Sequence, residues 1–226
     1  MVHLGRVLHA GGGDCEALAA RGLLQAANAI SSLGFSVAGV LIILWARSAP
    51  GVERSYRIGF GSLMVATGIG SFVYHGSAAE SGQFLHDFTF LATIWTLAMI
   101  SFGRVRGMPW TLTWGSVAGG SAVLALLLVA APSITNLLTA GLVVALIASD
   151  IVLARSGHLA RGWRVAAIVL MSAAIVAYFV GRTGGPLCEP GSLLQPHAIW
   201  HLLAAGALAA YFVATSAVRA VDRAAS

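Results

Sequence analysis

The chain has 226 residues, 58% of them hydrophobic and 9% charged, with a formal net charge of +5 and a mean hydropathy of +0.86. Soluble domains carry roughly 25% charged residues, so a soluble globular domain is excluded and an integral membrane protein is expected. The basic charge is 13 Arg with no Lys, set in short gaps between apolar runs. That is a pattern of membrane topology rather than of nucleic-acid binding.

Residues 1–21 hold no apolar core long enough for a cleaved signal, and Gly11-Gly12-Gly13-Asp14 interrupts them. They are expected to form an exposed tail. Spanning helices need about 20 residues, and seven apolar stretches qualify: 22–46, 58–76, 84–103, 110–131, 135–154, 164–181 and 196–217. Pro50-Gly51, with Arg54 and Arg57, closes the first. Arg104 to Pro109 divides the third from the fourth, and Pro132-Ser133 predicts a tight hairpin before the fifth. The segment Thr183 to Gln195 is rich in Gly and Pro and reads as a loop. The second and sixth stretches are the shortest. Gly115 and Gly119 have the spacing that permits close helix contact. Asp150 near Arg155 reads as a solvated charge at a helix end.

The expected fold is therefore an all-α membrane protein, one seven-transmembrane helix bundle over 1–226, with tails at 1–21 and 218–226 around a bundle at 22–217. Seven spans put Arg6, Arg21 and Arg182 on one side. The other side holds Arg47, Arg54, Arg57, Arg104, Arg106, Arg155, Arg161, Arg164, Arg219 and Arg223. Positive charge favours the cytoplasm. The N-terminus is thus predicted extracytoplasmic and the C-terminus cytoplasmic.

On that frame five polar residues reach one depth near the extracytoplasmic boundary. Ser71 and His75 end the second span, Asp87 opens the third, and His197 and His201 open the seventh. Ionisable groups at the edge of hydrocarbon are costly and by default mark a working site. Residues four apart share a helix face, roughly 6 Å from each other, and Pro196 suits a first helical turn. Three imidazoles that meet are the usual protein share of a catalytic zinc site. Other readings stand beside it: a histidine in an apolar helix is often a hydrogen-bonded packing residue, and paired histidines also serve haem. A four-residue pair puts both ligands on one side of a metal, which suits zinc better. His3, His9 and His86 are given no role.

At these residues the chain resembles the alkaline ceramidase family. More widely it is similar to the superfamily that family shares with adiponectin-type receptors and a family of lipid-remodelling proteins. The matching stretches are Ser71-Phe-Val-Tyr-His75, His86-Asp87-Phe and His197-Ala-Ile-Trp-His201. Two more favour the ceramidase branch: Asp14-Cys15-Glu16 resembles its Asp-Trp-Cys-Glu, and Gln25 to Leu33, with Asn28 and Ser31, resembles the Glu-x-x-Asn-Thr-x-Ser-Asn that follows. The chain departs in lacking the Trp, in holding Gln25 where the family has Glu, and in a His-to-Asp step of 12 residues, one longer than in the animal enzymes.

The resemblance implies a zinc-dependent hydrolase of a linear amide, with His75, His197 and His201 on Zn²⁺ and with Asp87 and Ser71 catalytic. The substrate would be ceramide or another N-acyl lipid, cleaved to a fatty acid and a sphingoid or other amine. It also implies a Cys15–Cys188 disulfide. Calcium would have Asp14 and Glu16 as its remaining candidates. The expected location is the cell membrane, with the site near the extracytoplasmic face. The expected partner is a membrane lipid; no nucleic acid and no obligate protein partner is inferred. The alternative is a receptor-like or scaffold protein holding a structural metal, although such receptors carry large soluble tails and the opposite orientation. Phe72, Tyr74, Phe88, Phe90 and Trp200 flank the motifs as candidate acyl-chain contacts, with ordinary helix packing as the plainer reading.

Overall fold

The computed structural model describes residues 13–77, 80–155 and 159–216. His3, His9, Arg6, Arg219, Arg223 and the tail 218–226 lie outside the described residues. Seven long helices follow in order: α1 (Ala26–Trp45), α2 (Gly51–Ser77), α3 (Glu80–Arg106), α4 (Trp110–Ala130), α5 (Thr135–Arg155), α6 (Arg161–Val180) and α7 (Pro196–Ser216). Each is long and apolar enough to cross a membrane. Pro132–Ile134 turns as a single 3-10 element between α4 and α5, and Pro196 is the first residue of α7, both as predicted.

Helix α2 begins at Gly51, seven residues before the apolar stretch that announced it. Glu53 and Arg57 keep the helical register there because they are neutralised. Glu53 Oε1 accepts from Arg57 Nε at 3.2 Å and from Arg104 Nη2 at 2.8 Å, and Arg104 Nε reaches Glu53 Oε2 at 3.3 Å. Arg104 also donates to Thr215 Oγ1 at 2.7 Å and to the Phe212 carbonyl at 3.3 Å. The starts of α2 and the ends of α3 and α7 are thus tied at one end of the bundle.

Packing is unequal. The core is built by Phe35 and Ile42 of α1, Tyr56, Phe60 and Met64 of α2, Leu97 and Ile100 of α3, and Leu208 and Phe212 of α7. Two thirds of the apolar window of α3 is buried, against 6% for α5 and 11% for α6. The backbone neighbours of α7 are α6, α1 and α3. Its link to α2 runs through side chains, with Phe60 stacked on Phe212 at 4.5 Å.

The closest crossing is α1 on α2. A Cβ on Gly61 would stand 2.7 Å from the Gly39 carbonyl oxygen and 2.7 Å from Ile43 Cγ1, and one on Gly39 would meet the Gly61 carbonyl. The predicted Gly115 and Gly119 contact is not made: a Cβ at either meets nothing within 4 Å. Asp150 is not a solvated helix end either. It takes Arg164 in a fork, Nε to Oδ1 at 2.8 Å and Nη2 to Oδ2 at 2.6 Å, joining α5 to α6.

Candidate metal centre

The end of α2 and the starts of α3 and α7 meet at the opposite end of the bundle from the Arg104 cluster. The ring centroids of His75 and His197 are 5.2 Å apart, those of His75 and His201 5.1 Å, and those of His197 and His201 4.6 Å. All three side chains are buried, with His75 1% and His201 0% exposed. Ser71 is buried beside them, its Oγ 3.5 Å from His201 Nε2.

Hydrogen bonding assigns a tautomer to two of the rings. Gln25 Nε2 donates to the Glu16 carbonyl at 3.2 Å, so its Oε1, 2.7 Å from His75 Nδ1, is the acceptor. His75 Nδ1 therefore carries the proton. Ser31 Oγ donates to the Asn28 carbonyl at 3.0 Å, so it accepts from His201 Nδ1 at 2.9 Å. The third ring, His197, has Asp14 Oδ1 3.2 Å from its Nδ1. That contact is an ion-pair distance without hydrogen-bond geometry: both ring nitrogens of His197 are buried with no hydrogen-bond partner among the described residues.

In His75 and His201 Nε2 is left with its lone pair. His75 Nε2 and both ring nitrogens of His197 are buried and have no hydrogen-bond partner among the described residues. Buried polar atoms are rarely left so. Orphaned imidazole nitrogens, with two of the rings held from behind by an acceptor, suit the donor set of a divalent metal bound through nitrogen. Ligand atoms of Asp14, His75 and His197 lie within 4.8 Å of one another, and so do those of His75, His86 and His201.

His86 was given no role by sequence reasoning, yet its ring stands 5.9 Å from that of His75. Asp87 lies behind it: Oδ1 is 2.8 Å from His86 Nδ1, and Thr135 Oγ1 of α5 donates to Oδ2 at 3.1 Å. The 12-residue step from His75 to Asp87 thus leaves His86, 11 residues on, at the rings, with Asp87 as its partner.

Gln25, Ser31 and Asp14 are further residues that reach the histidines. Asn28 and Ser31 lie on α1 and Gln25 immediately ahead of it, a spacing of 3 that was visible as a pattern without a partner. The chain ahead of α1 is clamped to the end of α2, Gln25 N bonding the His75 carbonyl at 3.0 Å. Glu16 caps α1: its carboxylate accepts Ala27 N at 2.7 Å and Asn28 N at 2.9 Å, which suits a helix N-terminus. With Glu16 so engaged, Gln25 neutral and Asp14 turned to the imidazoles, these residues do not assemble the carboxylate-rich oxygen cage that calcium takes.

Cys15 and Cys188 are joined, with Cα atoms 5.3 Å apart. Phe90 and Trp200 pack on Phe35 at 6.3 Å and 6.4 Å, and Phe84 stacks on Phe88 at 5.7 Å, which makes them packing residues in this structure.

A search of the curated proteins returns no match. A family model described as Ceramidase matches residues 23–226, a span that takes in all seven helices and every ring of the site. By that match the chain belongs to the ceramidase family.

Proposed function

We propose that this protein is a zinc-dependent amidase of the cell membrane that hydrolyses the N-acyl bond of ceramide or a related N-acyl lipid. The observation that carries the reading is the set of converging imidazoles in a ceramidase-family chain, with Nδ1 of His75 and of His201 each held by an acceptor and the Asp14 carboxylate beside His197. His75, His197 and His201 would hold the ion. Zinc in such a site supplies Lewis acidity, polarising a carbonyl and acidifying water.

The chain's own groups supply the rest. The Ser71 hydroxyl, at the edge of the rings, donates to the oxyanion that forms on the amide carbon. The spare Nε2 of His86 takes the proton of the attacking water while Asp87 holds Nδ1–H and stabilises the resulting imidazolium. The same nitrogen returns the proton to the departing amine. The C–N bond breaks, a C–O bond forms, and fatty acid and amine leave.

Arginine counting supports a site on the extracytoplasmic side, with the α7 C-terminus in the cytoplasm. At that depth the polar amide of a lipid sits at the headgroup level while its chains stay in hydrocarbon. The test is incubation of the purified protein with a labelled short-chain ceramide, with and without a chelator. Hydrolysis that the chelator abolishes and zinc restores is expected. A zinc-loaded protein inert toward all N-acyl lipids would favour a receptor or scaffold instead.

A further inference from the structure

We propose that Asp14 is a positioning residue for the metal, fixing the ring of His197 from outside the helix bundle. The inference rests on the reading of His75, His197 and His201 as the metal's ligands. His75 and His201 take their Nδ1 partners from Gln25 and Ser31, at the start of and within α1. His197 has no such hydrogen-bonded partner among the described residues; the group beside its Nδ1 is the Asp14 carboxylate, in ion-pair contact with Oδ1 at 3.2 Å, and Asp14 Oδ2 is 3.9 Å from His75 Nδ1. A carboxylate behind a ligating imidazole fixes its tautomer and angle and makes its other nitrogen more basic. It also sets a negative charge beside a dication.

Asp14 sits on no helix, so something else must hold it still. It lies in a strap bound to the α6–α7 loop at successive residues. Thr183 N donates to the Gly13 carbonyl at 3.1 Å, and Asp14 forms an antiparallel bridge with Arg182. Cys15 is bonded to Cys188, and Ala17 N donates to the Pro190 carbonyl at 2.9 Å. The loop so gripped runs directly into α7, whose second residue is His197. One short strap therefore carries both the carboxylate and a covalent hold on the loop that delivers its histidine.

The test measures zinc affinity of the purified full-length protein by competition with a chromophoric chelator. Wild type, D14N, D14A, D14E, the double variant C15S/C188S and the loop control E189Q are compared, and the visible spectrum of each cobalt-substituted protein is recorded. The backbone bonds of the strap survive D14N, so a purely structural role would leave its affinity at the wild-type value. A positioning role predicts zinc binding weaker by roughly 10–100-fold in D14N and D14A, with a changed cobalt spectrum, partial recovery in D14E and no change in E189Q. The disulfide-free protein is expected to weaken in the same direction. D14N and D14A within twofold of wild type would overturn the proposal. A wild-type protein that binds no zinc would instead overturn the reading of the site itself.

Discussion

His86 and Asp87 share one hydrogen bond, and its direction separates their tasks. The carboxylate is the acceptor, so the proton lies on Nδ1, and in the proposed mechanism Nε2 of His86 is the nitrogen that moves the proton. His86→Gln removes a group able to carry a proton while keeping polar bulk. Its turnover should fall by roughly 10²–10⁴-fold with zinc content near that of wild type. Asp87→Asn should also lower turnover, because an amide can present a donor to Nδ1 and favour the wrong tautomer. Steady-state kinetics beside metal analysis measures both, and His86→Gln at wild-type turnover would remove the proton path. Ser71, His75, His197 and His201 were legible because two four-residue spacings in apolar helices can face one way only. Gln25, Ser31 and Asp14 were not. Their significance depends on which helix lies beside which ring, and a run of apolar residues carries no record of its neighbours.

The helices themselves were legible from hydropathy and breakers, nearly to the residue in α4, α5 and α7. Their lateral order was not, since every apolar face reads alike. The start of α2 was hidden by Glu53 and Arg57, charges that look like a loop until the Glu53 carboxylate is seen to accept from both Arg57 and Arg104. Glycine spacing was equally mute about location: the contact falls at Gly39 and Gly61, while Gly115 and Gly119 face open space. That contrast is measurable. Gly39→Ala pushes a methyl into the backbone of α2 and should cost about 1–3 kcal/mol, seen as a lower melting temperature in detergent. Gly115→Ala meets nothing and gains helix propensity, so its melting temperature should hold or rise. Equal loss in both variants would mean that the α1–α2 crossing is looser than described.

The bundle is fastened at both ends by different chemistry. Glu53 and His75, near the two ends of α2, are 22 residues and so about 33 Å apart. At the Glu53 end a buried guanidinium is shared among α2, α3 and α7; at the other, imidazoles from α2, α3 and α7 converge. Removing Glu53 strands a buried cation, and breaking such a pair costs about 3–5 kcal/mol. Glu53→Gln should therefore melt earlier in detergent yet bind zinc with wild-type affinity, since the two clusters do not touch. Loss of zinc binding in a still-folded Glu53→Gln protein would show that the two ends are coupled.

Ser31 and His201 touch across 170 residues of chain. On a ribosome adding about 5–20 residues per second, that is a wait of roughly 10–30 s. Through that interval Asp14, Gln25 and Ser31 have been synthesised while the rings of α7 that two of them will hold do not yet exist. On the proposed reading, loading with metal is then a late event in biogenesis, possible only once the seventh helix has inserted and docked against the first. A nascent chain arrested ahead of α7 would emerge with its polar stripe on α1 unserved, a target for quality control rather than a partly active enzyme.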